Sequence, residues 1–139
     1  MNGCRHRVAM FALPLLAGLS ACSSLERPSC PGGQQPSVQD LLYFGTDMPE
    51  GSVSANDWAR FRDETFTVGF PEGFTVWEAS GQWRSALGKV IQEQSYVLNL
   101  VHPASVEAEQ SIQEYIAAYK VRFRQEAVLR VTSVACISF

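Results

Sequence analysis

The residue pattern predicts an α+β domain, a ferredoxin-like βαββαβ two-layer sandwich in which both helices lie on one face of a four-stranded antiparallel sheet. Three observations carry that expectation. Residues 74–84 and 90–101 both have strand composition and are separated by a glycine-containing loop of hairpin length, Ser85-Ala86-Leu87-Gly88-Lys89. Between 105 and 123, Ala108, Ile112, Tyr115, Ile116, Tyr119 and Phe123 recur at three- and four-residue intervals, while Glu107, Glu109, Gln113, Glu114, Lys120 and Arg122 fill the other side, as on an amphipathic helix. The chain then closes on a β-branched-rich stretch, 128–138, in which Leu129 and Val131 alternate with Arg130 and Thr132. Two right-handed split crossovers of this kind put the first and third strands at the centre of the sheet.

At the N-terminus, Arg5 and Arg7 precede an apolar run from Val8 to Leu19. That run is too short to cross a bilayer core of about 30 Å as a helix, so it reads as a signal segment. Leu19-Ser20-Ala21-Cys22 resembles the lipobox of bacterial type II signal peptides. The resemblance implies removal of residues 1–21 and acylation of Cys22, and two or more acyl chains give stable anchoring to a membrane. An ordinary secretory signal in which Cys22 merely follows Ala21 is the alternative. Ser23 and Ser24 stand where an acidic residue would favour inner-membrane retention, so the resemblance implies the periplasmic face of the outer membrane. Residues 22–37, dominated by Ser, Pro, Gly and Gln, read as a lipidated flexible tether, and 38–139 as a single domain.

Loss of Arg5 and Arg7 removes two of 11 basic side chains and none of 14 acidic ones, moving the formal net charge from −3 to −5. That balance argues against nucleic acid as a partner. Cys4 leaves with the signal and Cys22 is taken by lipid, so Cys30 and Cys136 remain, and an oxidising compartment favours one bridge over two free thiols. The predicted topology agrees, since the end of the last strand lies beside the start of the first. Two cysteines and the lone His102 of the mature chain are too few for a zinc site, and no motif calls for a metal or cofactor.

Within the domain, residues 40–45 form a short apolar strand ended by the turn formers of 46–51. Ser54 with Asp57 approximates a helix capping box, Trp58 and Phe61 supply the helix's apolar stripe, and Pro71 and Gly73 end it. His102-Pro103 stops the third strand and Ser105 caps the second helix. Trp58, Phe61, Trp77, Trp83, Leu98, Ile112, Ile116 and Phe123 are the expected core.

Leu42-Tyr43-Phe44-Gly45, Trp58-x-x-Phe61, Gly81-Gln82-Trp83-Arg84, Glu93-x-Ser95 and the run Tyr119-Lys120-x-Arg122-Phe123-x-Gln125-Glu126-x-Val128-Leu129 together resemble a family of small bacterial lipoproteins known as domain of unknown function 3574. The resemblance implies the fold and the lipoprotein habit, and assigns no catalytic residue.

The chain has no nucleophile elbow, phosphate-binding glycine loop, paired-histidine helix or Cys-x-x-Cys. His102, at a strand end before proline, reads as a solvated loop residue rather than a catalyst. Strand alternation offers a better candidate: Glu78, Ser80, Gln82, Arg84, Glu93, Ser95 and Asn99, joined by Arg130 and Thr132, are expected on the sheet face opposite the helices. That face reads as a merely solvated surface, as a polar ligand floor, or as the interface of a homodimer. Two classes of function follow. One is a non-enzymatic envelope lipoprotein that binds a partner protein or a small polar ligand through Glu78, Gln82, Arg84, Glu93, Ser95 and Arg130. The other is a small sheet-dimer enzyme, similar to dimeric α+β-barrel proteins, in which Glu78 or Glu93 acts as a base beside Arg84.

Overall fold

The computed structural model describes residues 29–139; the expected signal segment 1–21, the expected lipidation site Cys22 and residues 22–28 of the expected tether lie outside the described residues. After Cys30 and a 3₁₀ turn at Pro31–Gly33, the elements are β1 (Gln35–Gly45), a small hairpin of β2 (Asp47–Met48) and β3 (Gly51–Ser52), α1 (Ala55–Glu64), α2 (Phe66–Gly69), β4 (Phe74–Arg84), β5 (Val90–His102), α3 (Val106–Arg122) and β6 (Leu129–Ile137). The main sheet has the order β4-β5-β1-β6, with every neighbouring pair antiparallel. Among the described residues no helix is long and apolar enough to cross a membrane.

Local chemistry sets the helix ends. The Ser54 hydroxyl accepts the Asp57 amide at 3.1 Å and Ser105 accepts that of Ala108 at 3.1 Å, each satisfying one of the free N–H groups of a first turn. Helix α3 ends on a residue with positive φ that is not glycine, Arg124 (φ 51°), and the Gln125 amide reaches back to the Lys120 carbonyl at 3.0 Å. This is the Schellman arrangement with arginine in the left-handed position that glycine usually occupies.

Leu42, Phe44, Leu98 and Leu100 point from the two central strands toward the helices, where they meet Trp58, Phe61, Phe66, Ile112, Tyr119 and Phe123. The core is aromatic: Phe44 lies 4.7 Å from Tyr119 and 5.0 Å from Trp58 between ring centroids, and Trp58 stacks flat on Tyr96 at 4.7 Å. Edge-to-face and offset contacts of this kind add roughly 0.5–1.5 kcal/mol beyond the area buried. The Tyr119 hydroxyl, inside the core, donates to the Gly45 carbonyl at 2.9 Å and so fixes the end of β1 against α3. Burial, with nearby Glu93 and Tyr96, pushes the Tyr119 phenol far above its usual range, leaving it a donor. Cys30 and Cys136 form the expected disulfide, with Cα atoms 5.6 Å apart across 106 residues of chain.

Three expectations are corrected. Strand β1 starts at Gln35, inside the stretch read as tether. At 35–37 it pairs only with β6, so Pro36 sits where one side of the strand needs no amide donor, and the disulfide rather than apolar burial holds the segment. Trp77 and Trp83 do not enter the core; Trp77 is 44% exposed. The hairpin loop closes with Ser85 and Lys89 bonded and pairs Arg84 with Val90, which sets Val76 opposite Leu98 and Trp77 opposite Val97. Phe74 and Val76 therefore face the helices and both tryptophans face away. A one-residue change of phase turns every side chain over, and β4 has apolar residues on both parities. Ile116 is packed against the core but only half-buried.

Candidate functional site

The same register separates the residues expected to share the open face. Glu93 and Ser95 lie there, on the parity of Val97. Glu78, Gln82 and Arg84 pair with Tyr96, Gln92 and Val90 and lie on the helix-side parity, Glu78 beside α1 and the other two toward the end of the β4–β5 hairpin. Gln82 bonds its neighbour Gln92 at 3.0 Å. Arg130 also faces inward, opposite Leu42, because pairing of β1 with β6 brings it and Thr132 over Asp40. Arg84 and Glu93 thus stand on opposite faces and form no acid–base pair.

Arg130 completes a buried ionic cluster. Asp40, fully buried, accepts from Arg130 Nε at 2.8 Å, from Arg130 Nη2 at 2.7 Å and from the Thr132 hydroxyl at 2.5 Å. His102 Nε2 lies 2.9 Å from the same carboxylate, and its Nδ1 lies 2.8 Å from the Pro103 carbonyl. His102 is therefore a buried partner of Asp40 and not the solvated loop residue expected; β5 runs through it before Pro103 ends the strand. Burial alone pushes the Asp40 carboxyl up, but the bonds from Arg130, Thr132 and His102 outweigh it and hold the group below the usual carboxylate range. Arg130 also bonds Glu109 on α3 at 2.8 Å, which holds the Glu109 carboxyl low, while the two carboxylates raise the affinity of Arg130 for its proton. Every buried polar side-chain atom of this cluster has a hydrogen-bond partner, and the cluster clamps β6 and α3 to β1.

The open face holds a different arrangement at the far end of β1. Glu93 points over Gly45, its Oε1 accepting the Trp83 indole N–H at 2.6 Å and its Oε2 the Asp47 amide at 2.7 Å. A Cβ at position 45 would stand 2.5 Å from Oε1 and 2.7 Å from Oε2, so the absent side chain is what lets the carboxylate lie down on the strand. Gly81, opposite Glu93 on β4, leaves the other side of the floor equally bare. The Gln125 side chain, presented by the left-handed turn at Arg124, donates to the Asp47 carbonyl at 2.6 Å and ties that loop down. The result is a cleft of about 220 Å³ floored by Gly45, Gly81 and Ser95 and walled by Tyr43, Trp83, Glu93, Gln125 and Leu129. No lysine, arginine or histidine lines it. Among the described residues no group of three or more His, Cys, Asp or Glu side chains is placed to hold a metal ion.

Of the residues proposed from sequence to bind, this cleft brings together Glu93 and Ser95, is bordered by Gln82 although that residue's side chain turns to Gln92 on the other face, and excludes Glu78, Arg84 and Arg130. Tyr43, Gly45, Gly81, Trp83 and Gln125 were already prominent in the motifs that resemble a known family, but no pairwise pattern in the sequence places them around one point.

The chain belongs to the family described as Protein of unknown function (DUF3574), which matches residues 39–139. A search of curated proteins found no match in sequence. Among solved structures, the chain is similar to a phage SAM lyase in complex with S-methyl-5'-thioadenosine (TM-score 0.56, 16% identity, 84% of this chain and 97% of that one). The same lyase in its apo state gives a TM-score of 0.56 at 13% identity over 82% and 97% of the two chains. CutA from Synechococcus elongatus PCC7942 is similar at a TM-score of 0.51 and 9% identity, over 74% of this chain and 80% of that one. At these identities the likeness is one of fold.

Proposed function

We propose that this DUF3574 member is a cell-envelope lipoprotein, tethered through Cys22, whose ferredoxin-like domain binds a small neutral or cationic ligand, or a partner's side chain, in the glycine-floored cleft. The observation that carries the reading is Glu93. A carboxylate held flat on a strand by an indole and a backbone amide, at a place where two glycines clear the floor, is a prepared acceptor, and glycine inside a strand marks close approach of another group. The aromatic rings of Tyr43 and Trp83 suit a planar or cationic group, and the lack of any cation in the lining disfavours phosphates and carboxylates. At about 220 Å³ the cleft falls below the ~300–1,000 Å³ of drug-sized ligand sites, which sets the occupant at fragment or side-chain size. The tether enters at the Cys30 end of β1 and the cleft lies at its Gly45 end, so an anchored domain would present the cleft away from the membrane.

A panel of small cations, neutral heteroaromatics and anions, tested by thermal shift on the wild type and on Glu93→Gln and Trp83→Ala, examines this reading. Stabilisation by members of the first two groups that is lost in both variants supports it, and stabilisation by anions alone refutes it. Membrane attachment is tested separately: a palmitate analogue should label the wild type and not Cys22→Ala.

The fold likeness to a SAM lyase supports a second reading, an enzyme with Glu93 at its reacting centre. S-methyl-5'-thioadenosine, which that lyase binds, is uncharged and carries a planar base, in keeping with a cleft without cations. Incubation with SAM and chromatography for S-methyl-5'-thioadenosine decides it; no product above the level of Glu93→Gln removes it.

A further inference from the structure

We infer that the open sheet face is the docking surface for a second copy of this chain, and that pairing roofs the cleft. The inference stands whether or not the cleft takes a ligand. Trp77, Val97, Tyr43 and Leu129 are register partners in one row across all four strands, and Leu41 and Val131 adjoin in the next row. Trp77 is 44% exposed, Leu129 60% and Val131 45%, so the row meets water along both edges of the sheet.

Charge identifies the occupant. The inward-facing layer, the helices and the turns at Glu50 and Arg124 carry the ion pairs among the described residues, whereas on this face the strands present one charged side chain, Glu93, whose two oxygens are already bonded. Depletion of charge around exposed aromatic and aliphatic groups is the composition of an interface centre. A face with a single charge, set at one end, meets its own copy with little repulsion, while a strongly charged partner would find only Glu93 to pair with. Shape and size agree. Two sheets of identical twist pack face to face about 10 Å apart with strands inclined at about −30°, the geometry an isologous pair provides. Four strands about 4.8 Å apart and about ten residues long at about 3.3 Å per residue give a footprint near 600 Å² before side-chain relief. That is close to the ~800 Å² per partner of a standard stable interface.

Sedimentation velocity on the full chain in detergent tests the inference, with Trp77→Arg/Val131→Arg as the disrupted variant. The expected result is twice the monomer mass for the wild type at about 10 µM, and the monomer mass for the variant with its urea midpoint unchanged. A wild type that is monomeric at about 100 µM, or a folded variant that keeps the wild-type mass, overturns it. If the double variant fails to fold, Leu129→Arg, at the most exposed of these positions, takes its place with the same two outcomes.

Discussion

Replacing Gly45 with alanine should evict Glu93 from its seat, and a double-mutant cycle isolates that effect. The backbone at Gly45 lies outside the left-handed region, so alanine meets no conformational barrier there, and the three heavy atoms nearest the new methyl all belong to the Glu93 carboxyl group, at 2.5, 2.7 and 2.8 Å. Because that group ends a flexible side chain, it will swing away rather than break the strand, giving up the bonds from Trp83 at 2.6 Å and Asp47 at 2.7 Å. Hydrogen bonds to a charged group contribute roughly 1.5–3 kcal/mol when buried, and discounting for a half-exposed carboxylate brings the pair to about 1–3 kcal/mol together. Urea unfolding should therefore show Gly45→Ala costing about 1–3 kcal/mol in the wild type and under about 0.5 in a Glu93→Ala background, a coupling that identifies the carboxylate as the obstacle. Equal costs in both backgrounds would refute the account of the glycine.

Four further outcomes follow from the same structure. Arg130→Met should cost about 3–5 kcal/mol, because it strands the buried Asp40 carboxylate. Asp40 has a folded pKa below its unfolded value of about 3.9, so its contribution is present above that pH and lost as the pH falls through the folded value; wild-type stability should drop more steeply below about pH 4 than that of Arg130→Met, by urea titration at several pH values. Ile112→Ala, at a fully buried site, should cost about 2–5 kcal/mol and the exposed Glu114→Ala under about 0.5, and equal losses would mean that the phase of α3 is wrong. Arg124→Gly should raise the thermal midpoint, since glycine takes the left-handed position without the roughly 1 kcal/mol strain of a β-carbon, against an exposed pair with Glu50 worth about 0–1 kcal/mol.

What could be read from sequence depended on whether a single element carried the signal. Helix α3, with its capping serine and apolar spacing, and the Cys30–Cys136 bridge both follow from local pattern plus connectivity, and both are present. The phase of β4 did not follow, because Phe74 and Val76 on one parity and Trp77 and Trp83 on the other are equally apolar, and the hairpin loop that chooses between them acts through geometry. His102 reads from sequence as a solvated loop residue, and Asp40 only as the start of a strand, because their burial together depends on Arg130, 90 residues after Asp40, arriving beside β1. The cleft is a harder case: Gly45, Gly81, Trp83, Glu93 and Gln125 come from β1, β4, β5 and the turn after α3, and only the sheet register assembles them.

If the cleft around Glu93 is a prepared recognition site, the Trp83 indole N–H reports on its occupant directly. In a proton–nitrogen NMR spectrum the three tryptophans give three indole signals, of which the one from Trp83 donates to Glu93. Titration with small cationic and neutral heteroaromatic fragments should move the Trp83 signal saturably, leave that of core-buried Trp58 in place, and lose its effect in Glu93→Gln. A Trp83 signal that stays fixed while fragments bind elsewhere, or one that moves equally in Glu93→Gln, would contradict the account.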